Sequence, residues 1–223
     1  MFLGHYGVAF AARRAAPRTS LGTTIFAAQF LDELWPVLLL LGLEQVRIVP
    51  GLMAASALDF VSYPISHSLA TAAGWGALIG AGYFAVRRYG RGAWVVGASV
   101  ASHWLLDAPM HRPDLPLWPG SATLVGGGLW NSVAVTWLVE GILFAAGVAL
   151  YVRGTRARAR VGSWGLWAML ALLAVALAGA GSAPPSERAL ALMTLSLWLF
   201  VPWGWWVDRH REPVATPPGD AEA

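Results

Sequence analysis

Residues 133–152 read VAVTWLVEGILFAAGVALYV, twenty residues with one ionisable side chain, Glu140, closed by Arg153. At about 1.5 Å per residue such a helix is about 30 Å long, the thickness of the hydrocarbon core of a bilayer. Apolar stretches of comparable length lie at about 21–43, 68–86, 92–108, 164–182 and 189–207. The pattern predicts an all-α fold, a polytopic membrane helix bundle of about six transmembrane helices. Residues 2–15 form a shorter apolar segment, read as a short N-terminal helix that dips partway into the membrane and turns back near PRTSLG. Residues 1–210 read as one integral membrane domain and 211–223 as a disordered C-terminal tail. Neither an internal repeat nor a nucleotide-binding pattern is visible; GGGLW at 126–130 lacks the strand and helix context that such a loop needs.

Composition agrees. Of 223 residues, 57% are hydrophobic and 12% charged, about half the charged share of a soluble domain, and the mean hydropathy is +0.57. All fifteen basic residues are arginine, which with the many Ala and Gly suggests a GC-rich bacterial genome. The formal charge of +3 sits in short arginine clusters, with no continuous basic face for phosphates, so nucleic acid is not expected as a partner and membrane lipids are. With no cysteine, disulfides, thiolate nucleophiles and thiolate zinc sites are excluded. The apolar run FLGHYGVAFAA precedes its arginines and no small-residue cleavage site follows, so the N-terminus reads as mature sequence. Arginines cluster at 13–18, 87–91, 153–160 and 209–211. Placing every cluster inside gives a multi-pass protein of the bacterial plasma (inner) membrane with both termini cytoplasmic.

Ionisable residues inside spans are costly and mark functional sites. Here they are Asp32, Glu33, His103, Asp107 and Glu140, with His5 in the short first helix and His67 just before the second span. Counted along helices from the nearest arginine, His103 lies 12 residues beyond Arg91, Asp107 16 beyond it, Asp32 14 beyond Arg18 and Glu140 13 before Arg153. They share a depth within about a turn, in the outer half of the bundle. His5 reaches Asp32 if the first two helices form a hairpin, while His67, 20 residues before Arg87, is placed higher, at the outer rim. No second polar layer toward the cytoplasm is visible.

His103 and Asp107, at i and i+4, share one helix face. An i, i+4 His–Asp pair often does no more than pair with itself. Together with His5, Asp32 and His67 it makes a nitrogen and oxygen donor set for one divalent ion with an open position, or for two ions sharing a carboxylate. Pro109 disfavours continuation of the helix and sends His111 into the outer loop. Glu33 points about 100° away from Asp32. Glu140 reads equally as a buried carboxylate bonded to a neighbour, and Ser66 and Ser68 as caps of the second span or supports for His67.

The stretches GHYGVA with His5, FLDELWP with Asp32, YPISHS with His67, and SHWLLDAPMHRPDLPLWPG with His103 and Asp107 resemble, in order and rough spacing, the motifs of the YdjM-like membrane-bound metal-dependent hydrolases. The likeness covers residues 1–120. The chain departs from that pattern in two places: YPISHS lacks the family's first His and its Arg-Gly, and Glu33 directly follows Asp32 where the family has an Asp two residues on. The resemblance implies a divalent-metal hydrolase.

The expectation is therefore a membrane-embedded hydrolase. His5, Asp32, His67, His103 and Asp107 hold one or two ions, zinc first and Mn2+ or Fe2+ next, and Asp32, Glu33 or Glu140 serves as general base. The depth of the site suggests a lipid or isoprenoid phosphoester near the outer face, with His111 and Arg112 at the substrate. The rival readings are a transporter of protons or metal ions, and a structural membrane partner whose polar cluster holds helices together.

Overall fold

A computed structural model describes residues 1–214, and within them the chain is mostly helical. The helices are α1 (Leu3–Ala15), α2 (Leu21–Leu40), the single turn α3 (Pro64–His67), α4 (Leu69–Arg87), α5 (Gly90–Asp107), α6 (Val133–Gly154), α7 (Arg160–Ala180), α8 (Glu187–Leu195) and α9 (Phe200–Arg209). Ser20, Ser68 and Ser132 begin α2, α4 and α6, each side chain accepting the backbone N–H three residues on, which satisfies a donor that the helix itself leaves unpaired.

Five segments are long and apolar enough to cross a membrane: Leu21–Leu40, Leu69–Arg87, Val133–Gly154, Arg160–Gly179 and Glu187–Arg209. Six were expected. The missing one does form a helix, the 18 residues of α5, but Arg91, His103 and Asp107 together with its serines leave it too polar to belong with the others. It is also the helix that brings most to the site. The last segment is interrupted: α8 passes through a 3-10 turn, Ser196–Leu199, into α9.

Glycine sets three of the close helix contacts. A Cβ on Gly147 of α6 would collide with the Gly7 carbonyl of α1. One on Gly76 of α4 would lie 2.6 Å from the Gly97 carbonyl of α5, and one on Gly204 of α9 would lie 2.9 Å from the Gly22 Cα of α2. These backbones touch because no side chain separates them. α2 runs through both hydrophobic cores. Leu21, Ile25 and Ala28 pack with Tyr6, Phe10, Met169, Leu173 and Phe200, whereas Leu31 and Trp35 pack with Phe60, Tyr63, Val96, Val100 and Trp104.

The strands are short and antiparallel: β1 (Gln45–Ile48) with β2 (Leu58–Ser62), β3 (Leu115–Pro116) with β4 (Leu124–Val125), and β5 (Thr155–Ala157) with β6 (Arg211–Pro213). The last pair corrects the expected tail. Residues 211–213 are ordered because Arg211, buried, donates from Nε to the Thr155 hydroxyl at 3.0 Å and from an Nη to its carbonyl at 3.0 Å. Positions 215–223 of that tail lie outside the described residues.

A second polar cluster, which the sequence did not suggest, sits at the opposite end of α1. Asp208 accepts from Arg13 Nε at 2.9 Å, the Leu21 N–H at 2.7 Å and the Tyr151 hydroxyl at 2.9 Å. It ties the first helix to the last.

Candidate metal centre

At the other end, α1 begins against α6 and α5. The Glu140 carboxylate accepts the N–H groups of Phe2, at 2.9 Å, and Leu3, at 2.5 Å, so this acid caps α1 from a neighbouring helix. The α-amino group of Met1 pairs with Asp107. α1 thereby holds His5 with its Nε2 3.1 Å from Asp107 Oδ1 and its ring stacked on that of His103, centroids 3.6 Å apart.

Asp32, His67, His103 and Asp107 meet at this point. His67 Nε2 lies 3.4 Å and His103 Nε2 3.5 Å from Asp32 Oδ1, and His103 Nε2 lies 3.3 Å from Asp107 Oδ2. Two overlapping groups, His5–His103–Asp107 and Asp32–His67–His103, have donor atoms close enough to share an ion. All five residues expected as ligands are thus drawn together from α1, α2, α3 and α5. His67 is not at the rim where helix counting put it. The chain bends at Ser68, φ −86° and ψ 150°, so α3 is a separate turn that lays the imidazole back at the level of Asp32.

The tautomers are fixed from outside the cluster. His103 Nδ1 lies 2.8 Å from the Ala28 carbonyl oxygen, which only accepts, so Nδ1 carries a proton and Nε2 is the nitrogen left for the cluster, a lone pair when the ring is neutral. Ser66 Oγ donates to Glu44 Oε2 at 2.6 Å, leaving its own lone pair for His67 Nδ1 at 2.7 Å. Again Nδ1 donates and Nε2 is left for the cluster. His111 Nδ1 lies 2.9 Å from Asp114 Oδ1, which also accepts the Tyr63 hydroxyl at 2.8 Å, and His111 Nε2 lies 4.0 Å from Asp107 Oδ2. His67 and His103 therefore turn Nε2 toward carboxylate oxygens that only accept. These contacts become favourable with a proton on Nε2 or with a cation among the donors. The separations of 3.3 to 3.5 Å also match the edge, about 3.4 Å, of a tetrahedron with metal–ligand bonds of about 2.1 Å. The donor set fits a divalent ion.

His111 differs from its expected place in the outer loop. A helical turn persists past Pro109, with the His111 N–H bonded to the Asp107 carbonyl at 3.0 Å, because the proline has no N–H to lose at the end of a helix. The ring is buried between Phe60 and Trp130, at centroid distances of 4.8 and 4.2 Å. Burial holds its imidazole below the ordinary value and pushes the neighbouring Tyr63 phenol up. Arg112 turns away, pairing with Asp59 and with Asp114. Glu33 is buried on another side of α2, its carboxylate without a partner among the described residues.

Sequence reasoning missed Glu44 and Asp114. Asp114 had a visible signal, three residues after His111. Glu44 had none, since it reaches Ser66 from the loop after α2. Ser66→Ala removes the acceptor that orients His67 while the Ile65 and Ser66 N–H groups keep Glu44 in place. It is expected to weaken zinc binding about tenfold, read by competition with a fluorescent chelator. Unchanged affinity would show that Ser66 only supports the turn.

No protein-family model, curated protein or solved structure matches the chain. Fold and site together define a helical protein with five helices long and apolar enough to span a membrane and a buried His/Asp group able to hold a metal ion.

Proposed function

We propose that the chain is a membrane-embedded, divalent-metal-dependent hydrolase of the YdjM-like kind, multi-pass in a bacterial plasma membrane, both termini cytoplasmic, with its site in the outer half. The observation that carries this reading is the convergence of His67 and His103 Nε2 on Asp32 Oδ1, at 3.4 and 3.5 Å, a spacing that one ion can bridge. Zinc suits a nitrogen and oxygen set of this spacing. His103 belongs to both donor groups but has one free nitrogen, so these groups serve one ion.

Asp32, His67 and His103 would hold it. A divalent ion there supplies an acidified water and polarises the scissile group. Asp107, on the wall of the adjoining cavity, accepts the proton of the attacking water, and His5 fixes the direction of that carboxylate through Nε2. Glu33 does not line the cavity and Glu140 belongs to neither donor group, so the general base falls to Asp107, whose Oδ1 is taken by Met1 and His5 while Oδ2 is turned to His103, instead of the acids first considered. The substrate is a membrane lipid whose reacting group lies at this depth.

Protein purified in detergent is expected to carry about one zinc per chain with an X-ray absorption shell of nitrogen and oxygen only, and to lose lipid hydrolysis on chelation. Absence of stoichiometric metal would overturn the reading. Metal with no turnover would move it to ion transport, which flux into liposomes measures.

A further inference from the structure

A cavity of about 610 Å³ opens onto Asp32, His67 and Asp107, within the range of small-molecule sites. Beyond its polar floor the wall is apolar, built from Phe60, Trp130, Trp137, Leu177, Leu190 and Leu197. Its formal charge is mostly negative. Asp32, Asp107 and Glu140 line it, and among the described residues no arginine does; the chain has no lysine. The α-amino group of Met1 is paired with Asp107, and Arg112 is held by Asp59 and Asp114 away from the wall.

With three carboxylates and the Met1 ammonium the lining carries a formal charge of −2, which a divalent ion balances, so an anionic phosphate would enter a mostly apolar cavity as excess charge. An uncharged ester or amide adds no charge. Neutral donors do reach the wall: Trp35 lines it, and its indole N–H has no partner among the described residues. Building on the hydrolase reading above, we infer that this site cleaves the acyl ester or amide bond of an uncharged long-chain lipid, rather than the phosphoester expected from depth alone.

The reaction is RCO–OR′ + H2O giving RCO2H and R′OH, with nitrogen replacing the ester oxygen in an amide. The water oxygen bonds to the carbonyl carbon as its proton passes to Asp107. The acyl C–O bond then breaks, its electron pair leaves with the alcohol oxygen, and that oxygen takes the proton back from Asp107. The acyl chain lies along the Trp137–Leu177–Leu197 wall.

The test uses the full chain, zinc-loaded, in nanodiscs. Palmitoylglycerol and N-palmitoylethanolamine are compared with hexadecyl phosphate and farnesyl diphosphate, with fatty acid and phosphate measured as products. Fatty acid release is expected to exceed phosphate release by at least about 100-fold. Binding is read separately by native mass spectrometry on chelator-treated protein, where hexadecylglycerol, an uncleavable ether, is expected to bind at least about tenfold tighter than hexadecyl phosphate. Val133→Arg places a cation on the wall at a half-exposed position and is expected to remove that preference, while Val133→Gln keeps it. Phosphate release without fatty acid would overturn the inference and leave the hydrolase standing. No product from either class on a metal-loaded protein would overturn both. Equal binding of the ether and the phosphate in wild type, or an unmoved preference in Val133→Arg, would also overturn the inference.

Discussion

His103→Ala is expected to abolish stoichiometric metal binding, weakening zinc affinity by at least about 100-fold, or about 2.7 kcal/mol. Its Nε2 is the one atom common to both donor groups, and it lies between Asp32 and Asp107 with its direction set by the Ala28 carbonyl. Alanine also removes the ring on which His5 stacks, so the side chain that directs Asp107 loses its support together with the ligand. Elemental analysis of the purified variant, with circular dichroism to verify helix content, gives the result. Normal metal content would remove the site from consideration. His103→Gln, which keeps a polar donor but supplies no imidazole, should fail equally if coordination is what matters.

The second large effect comes from a residue that touches no ligand. Gly147→Ile is expected to destabilise the protein by about 3 kcal/mol or more, at or beyond the upper end for overpacking, because its Cβ would meet the backbone of α1 at Gly7, where no side chain can move aside. Pushing α1 off α6 also pulls the Phe2 and Leu3 N–H groups from Glu140 and takes His5 from Asp107. Zinc affinity should therefore fall together with thermal stability. Gly141→Ile, about one and two-thirds turns earlier on the same helix and with open space around it, should stay within about 0.5 kcal/mol of wild type. Thermal unfolding of both variants with and without zinc separates the two outcomes, and equal stability would sink the packing argument.

The helices were legible in the sequence because a membrane-length apolar run is a local property. So was much of the site. Counting depth from arginines put Asp32, His103 and Asp107 at one level on different helices, and that level is where their side chains meet. What local counting cannot carry is a break or a distant partner. His67 was set too high because the bend at Ser68 is invisible to a helical ruler, and His111 was sent outward because Pro109 was taken as the end of a helix that turns once more. Glu140 was marked as a base, yet its partners are backbone groups 137 and 138 positions away. Arg13 entered only as part of an arginine cluster and Asp208 not at all, yet the fold brings them 2.9 Å apart. Each of these depends on which surfaces pack, and no periodicity reports that.

The Arg13–Asp208 pair also says something about the order in which the molecule is made. The first helix emerges from the ribosome long before residue 208 exists, yet Asp208 holds both Arg13 and the start of α2. Until α9 arrives, α1 lacks its anchor at one end. His5, which directs Asp107 through Nε2, is therefore made first, on a helix that is pinned last. The three side chains that would hold the ion, Asp32, His67 and His103, are all made before α6, whereas the helix that directs Asp107 through His5 is pinned at both ends only in the finished chain.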